Sequence, residues 1–111
     1  MTSDVPDTPF TPVLPFAVLQ AATMRAVNIG PVRVLLVHVD GEVRAYQNRC
    51  PHRAWPLERG RLEDGVLTCA NHGWRFEIAT GRGVDPPDCA LVAYPCRVDD
   101  DGMVGVAVPA R

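Results

Sequence analysis

An all-β fold is what this 111-residue sequence predicts, on three observations. From Phe16 onward, short apolar runs alternate with turn signals. No stretch keeps a helical period, because prolines and glycines interrupt almost every window. And Asp40-Gly41, a pair suited to the positive backbone angles of a tight hairpin turn, separates two β-branched runs, Val32–Val39 and Glu42–Gln47. Taken in order, residues 1–15 carry prolines at 6, 9, 12 and 15 and read as a flexible or extended arm. Strands are expected at Phe16–Leu19, Met24–Asn28, the hairpin, Gly65–Cys69, Trp74–Ile78, Ala90–Val98 and Met103–Val108, the last two joined by the turn Asp99–Gly102. Residues 48–88 are richer in loops, so a β-rich domain over 16–109 brackets a loop-rich insert over about 48–88.

Composition narrows the class. A 12.1 kDa chain supports one modest core. Its net charge of −2 argues against a nucleic-acid partner, although all 11 basic residues are Arg. No apolar run approaches the roughly 18 residues of a membrane helix. The first 15 residues hold acids and prolines where a secretion signal has a basic start and an apolar stretch. A cytoplasmic monomer with no membrane partner is expected.

The chemistry concentrates in the insert. Cys50-Pro51-His52 is followed, after sixteen intervening residues, by Cys69-Ala70-Asn71-His72, so two loops each offer one thiolate and one imidazole. Zinc accepts two Cys and two His, but zinc fingers keep like ligands together, with at least two residues between them. A two-iron cluster accounts for the mixing. If one iron takes both Cys and the other both His, each loop serves both metals, the ligation of a Rieske centre. Replacing two thiolates by neutral imidazoles leaves the oxidised site neutral rather than dianionic, which raises its potential.

The residues resemble those of the Rieske ferredoxins, in particular those of bacterial multicomponent diiron monooxygenases of the toluene and alkene type. The likeness spans about Val37 to Val98. It rests on Ala45-Tyr46-Gln47, Cys50-Pro51-His52, Gly65-Val66, Thr68-Cys69, His72-x-Trp74-x-Phe76, Thr80-Gly81-x-Gly83, Pro87-Asp88-Cys89, Leu91 and Tyr94-Pro95. It implies a β-sandwich base with an inserted cluster-binding subdomain, and one [2Fe–2S] cluster. Cys50 and Cys69 would hold the inner iron, and His52 and His72 the outer one. A third loop near Asp85-Pro86-Pro87 would cover the cluster. Two further loop cysteines of the cytochrome-complex proteins are missing, since Arg53-Ala54-Trp55 and Ala70-Asn71 stand there. That resembles the low-potential branch, with a potential of roughly −150 mV.

The implied role is non-catalytic. The chain would take single electrons from an NADH-dependent flavin reductase and pass them to a diiron hydroxylase. A ferredoxin of an aromatic-ring-hydroxylating dioxygenase, a small reductase-type subunit of a permanent enzyme complex and a structural zinc-binding interaction module are the alternatives. Thr80–Val84 is too short for a dinucleotide fingerprint.

Other residues read as structural. Cys89 and Cys96 would face opposite sides of an unbroken strand and cannot pair, with Cys96 beside Val92, Tyr94 and Val98 as a core thiol. His38, alternating with Val34 and Leu36, reads as a structural or surface histidine, and Trp74, in step with Phe76 and Ile78, as packing. Trp55 is either packing or a partner contact. Residues 48–88 hold six Arg and six acids, a formally neutral sum that suggests apolar docking through Trp55, Pro56 and Pro87.

Overall fold

The run Val32–Val39 organises the molecule because both of its faces are covered. The computed structural model describes residues 10–50, 56–70, 73–85 and 89–108. In it Val32–Val39 (β3) pairs antiparallel with Met24–Ile29 (β2) on one side and Glu42–Gln47 (β4) on the other. Ala93–Tyr94 (β9) adds to β4, giving a four-stranded sheet of order β2-β3-β4-β9. Val34 and Leu36 point into one core and Leu35 and Val37 into another, all four fully buried. Strand alternation therefore produces a continuous apolar run here. Asp40 and Gly41 take φ of 54° and 80°, the left-handed pair the hairpin requires.

One core lies against a three-stranded sheet made of Thr11–Pro15 (β1), Met103–Val106 (β11) and Cys96–Val98 (β10), in the order β1-β11-β10. Leu14, Val104 and Val106 meet Val34, Leu36 and Ala45 there. The expectation of a flexible arm to residue 15 is corrected for its last five residues, which form β1; residues 1–9 lie outside the described ones. Pro12 and Pro15 lack an N–H, but β1 is an edge strand with an irregular register between Pro12 and Leu14, where a missing donor is tolerated.

A second correction concerns Phe16–Leu19, expected as a strand. Phe16–Ala22 is a short helix, α1. The stretch Gln20-Ala21-Ala22 favours a helix, and Leu19 alone is fully buried, too little periodicity to detect in seven residues. Thr23 closes the helix at φ 69°, its N–H donating to the Leu19 carbonyl at 2.8 Å. The expected strand Ala90–Val98 is also divided, into β9 and β10 with Pro95 between them. Val92 and Val98 are exposed, so Cys96 does not share a buried face with them.

The other core lies against a third sheet built from the insert: Arg61–Glu63 (β5), Val66–Thr68 (β6), Arg75–Glu77 (β7) and Gly83–Asp85 (β8), paired in chain order. Leu67, Phe76 and Ile78 are fully buried against Leu35, Val37 and Tyr46. The insert is thus a small meander stacked on the central sheet, and its loops carry the site.

Candidate metal centre

Both predicted thiol ligands stand in the core between the central sheet and the insert. Cys50 and Cys69 are each 2% exposed and share that core with Leu57, Leu67, Phe76 and Leu91. Cys50 ends the segment that leaves β4, and Cys69 follows β6 directly. Neither forms a disulfide. His52 and His72 lie outside the described residues, as do Pro51, Arg53, Trp55 and the third-loop residues Pro86, Pro87 and Asp88. Among the described residues no three metal-donor side chains converge.

The first loop is fixed at both ends. The Asn48 N–H donates to the Arg33 carbonyl at 2.9 Å and the Arg49 N–H to the Gln47 carbonyl at 2.8 Å. Asn48 is a buried polar residue, 5% exposed, and its amide is used twice. Its Nδ2 donates to Glu58 Oε1 at 3.0 Å, and its Oδ1 accepts the Glu58 backbone N–H at 3.1 Å. This reciprocal pair closes the chain across residues 49–57, and the single 3₁₀ turn Leu57–Arg59 then buries Leu57 beneath it. A buried amide with both functions satisfied holds a loop end in one place.

The second loop is closed by its own backbone. The Cys69 N–H donates to the Trp74 carbonyl at 2.7 Å, and the Gly73 N–H donates back to the Cys69 carbonyl at 3.1 Å, with Gly73 at φ 72°. Gly60 joins the two loops: a Cβ there would overlap the Thr68 carbonyl, one residue before Cys69. Only a glycine lets the two backbones approach this closely.

Tyr46 ties the insert to the central sheet. Its hydroxyl donates to the Ile78 carbonyl, and its ring lies where a Cβ on Gly81 would come within 2.9 Å. Burial pushes the Tyr46 phenol above its ordinary 10.0, Arg44 works against the rise, and Cys96 and Glu77 add to it. Burial likewise raises Tyr94 and Cys96, the latter again opposed by Arg44.

The remaining expectations sort simply. Cys89 packs against the insert core and Cys96 against the other, where its Sγ donates to the Val43 carbonyl at 3.2 Å. The two cysteines pack against different cores, although no unbroken strand joins them: Cys89 lies outside any strand and Cys96 begins β10. His38 stacks edge-on with Phe16 at 5.3 Å, and its buried Nε2 has no partner among the described residues, a structural histidine. Trp74 packs against the insert core. Sequence reading missed the Asn48–Glu58 brace and the Gly60 contact. A lone Asn after a strand and a Gly in a loop are weak signals until the partner ten residues away is located.

The donor set fits a mixed thiolate–imidazole metal group. Two buried thiols root the two loops that also carry His52 and His72, and thiolate is the ligand type that iron–sulfur clusters select.

Comparison with known proteins agrees with that chemistry. The family model for the Rieske [2Fe-2S] domain matches residues 10–95. The ferredoxin component of the alkene monooxygenase system of Xanthobacter autotrophicus is 39% identical over 77 residues, covering 68% of this chain and 63% of that protein. The biphenyl dioxygenase ferredoxin subunit of a Pseudomonas species is 39% identical over 69 residues, covering 60% and 63%. The chain thus matches less than two thirds of the length of either relative. Among solved structures, a chain from the complex of reduced oxygenase and oxidized ferredoxin in carbazole 1,9a-dioxygenase superposes with a TM-score of 0.80 at 27% identity, over 91% of this chain and 94% of that one. The ferredoxin of carbazole 1,9a-dioxygenase from Nocardioides aromaticivorans gives 0.78 at 25% identity, over 88% and 96%.

Proposed function

Because the chain belongs to the Rieske [2Fe-2S] domain family, we propose that it is a ferredoxin carrying single electrons from an NADH-dependent flavin reductase to the diiron hydroxylase of a bacterial multicomponent monooxygenase. The family's cofactor is one Rieske-type [2Fe–2S] cluster, and Cys50, His52, Cys69 and His72 are the residues that would hold it. When bound, it supplies reversible one-electron chemistry. The chain's own part is positional. Leu57, Leu67, Phe76 and Leu91 keep water from the two thiols, and the Asn48–Glu58 brace and the Cys69–Trp74 closure hold the ends of the loops whose sequence includes His52 and His72. The role is electron transfer without catalysis, by a cytoplasmic monomer. No helix among the described residues is long and apolar enough to cross a membrane.

One observation carries the reading: two buried thiols at the roots of two neighbouring loops, each with a histidine two or three residues on. The likeness to the alkene monooxygenase ferredoxin supports the diiron customer. A second reading, service to an aromatic-ring dioxygenase, is favoured by the biphenyl and carbazole dioxygenase matches. The zinc-binding module, open on donor types alone, gives way to the family match. Reconstitution separates the two customers. Purified chain, reductase and NADH are combined with either a diiron hydroxylase or a Rieske-type oxygenase, and product is expected with the former. Product with the Rieske-type oxygenase alone would transfer the assignment to the second reading.

A further inference from the structure

The insert's neutral charge sum conceals a separation that the sheet register reveals. In the third sheet Arg61, Thr68 and Arg75 form the row beside Cys69, while Glu63, Val66 and Glu77 form the row at the far turn, next to Asp64. These Arg and Glu side chains are exposed, on the face opposite buried Leu67 and Phe76. Arg75 lies opposite Asp85 in the register, and Arg82, whose carbonyl accepts the Glu77 N–H at 2.9 Å, adjoins the far row, so the separation is an excess of arginine near Cys69 and of acid at the far turn. The central sheet is sorted in the same sense. Arg33 and Arg49 flank the end of β4 that leads to Cys50, whereas Asp40 and Glu42 occupy its other end, about 17 Å of strand away. The Asp99–Asp101 turn lies at that far end too, since Val98 and Glu42 line one depression; Arg44, paired with Glu42, and Arg97 line it as well, so the far end carries both signs with acids in excess.

Two depressions flank the cysteine loops. One is lined by Arg33, Arg49 and Asn48, the other by Arg59, Arg61, Cys69 and Ala70. Together they hold four arginines and, among the described residues, no carboxylate. One carboxylate, Glu58, stands near these arginines, held by Asn48, and they outnumber it four to one; Glu77, which accepts from Thr80 at 2.7 Å, belongs to the far row. Arg61 has only an exposed contact with Glu63 at 3.9 Å, and Arg33, Arg49 and Arg59 have no ion pair among the described residues.

We propose that the arginine face formed by Arg33, Arg49, Arg59 and Arg61 around the two cysteine loops is the docking surface for a protein partner that presents carboxylates. The proposal rests on the electron-carrier reading and differs from the apolar docking suggested by the neutral charge count, whose residues Trp55 and Pro87 lie outside the described ones. Guanidinium groups pair with carboxylates in a bidentate fashion, and a field of one sign around an exit point steers an oppositely charged partner. The acids at the far end turn the molecule so that this face leads.

Small redox probes test the sign directly. Reduced holoprotein is mixed with ferricyanide, a trianion, or with tris(phenanthroline)cobalt(III), a trication, across a range of salt. Each oxidant takes one electron, the cluster returning to its diferric state while ferricyanide becomes ferrocyanide and cobalt(III) becomes cobalt(II). The ferricyanide rate is expected to fall about tenfold from low to high salt, and the cobalt rate to rise. The double variant Arg49→Glu/Arg59→Glu, its cluster verified by visible absorption, should lose the ferricyanide effect. A ferricyanide rate that rises with salt, as the whole-molecule charge of −2 alone would give, overturns the proposal. A second readout needs no electron transfer: dye-labelled hexaglutamate should bind at low salt and bind the double variant less. Tighter binding of a labelled oligonucleotide than of hexaglutamate would also overturn it. Protein without the [2Fe–2S] spectrum fails the electron-carrier reading instead, before salt is varied.

Discussion

At the scale of single residues, the site depends on small contacts whose loss should be felt at the metal. Gly60 has φ −81°, which any residue adopts, so its requirement is space and not conformation. Gly60→Ala drives a methyl into the Thr68 carbonyl and displaces the strand end that carries Cys69. Overpacking of this kind destabilises by about 1–3 kcal/mol, and thermal unfolding should show a Tm lower by about 10 °C with less iron bound. An unchanged Tm would mean that the loops are not packed as described. Tyr46 gives the pH dependence. Its folded pKa, like those of Tyr94 and Cys96, lies above the ordinary value because of burial. The folded state therefore keeps protons that the unfolded state releases. Stability is fully present below about pH 9 and is lost as pH rises through the folded values. Tyr46→Phe should lower stability at neutral pH by about 1–2 kcal/mol, through the unpartnered Ile78 carbonyl, and make the alkaline decline shallower. Urea titrations at neutral and alkaline pH check both; an alkaline decline as steep as in the parent would remove Tyr46 from the account.

At the scale of elements, legibility in the sequence follows locality. The β3–β4 hairpin is readable to the residue because its turn chemistry and its apolar runs are adjacent in the chain. The ligand spacing is readable for the same reason, each thiol and imidazole lying within four residues. The elements that escape such a reading depend on distant partners. β1 is a strand because β11, some ninety residues later, supplies its hydrogen bonds, and its prolines argue against it until it is known to be an edge. α1 spans only seven residues, and the Phe16/Val18 alternation mimics a strand until Leu19 is seen to fill the core. The insert sheet has strands of three residues and holds together through one buried row. Phe76 is its centre and is fully buried. Phe76→Ala should cost about 3–5 kcal/mol and lower iron content per chain. Leu19→Ala, about 2–5 kcal/mol in the other core, should destabilise while leaving iron per folded chain intact. Equal iron loss in both variants would contradict the division into two cores.

At the scale of the whole molecule, a sheet buried on both faces separates two tasks. One face packs against the β1-β11-β10 sheet and α1 and supplies stability; the other carries the meander whose loops hold the four proposed ligands, Cys50, His52, Cys69 and His72. The central claim is that this second side holds a two-iron cluster with two thiolates on one iron and two imidazoles on the other. The most direct measurement is the EPR spectrum of the reduced purified protein, with iron and acid-labile sulfide assayed on the same sample. The account predicts two irons and two sulfides per chain and an average g lower than that of an all-thiolate [2Fe–2S] cluster, because two imidazoles on one iron change the ligand field of the ferrous site. A colourless protein holding a single zinc, or a reduced spectrum with the g values of an all-thiolate cluster, would contradict it.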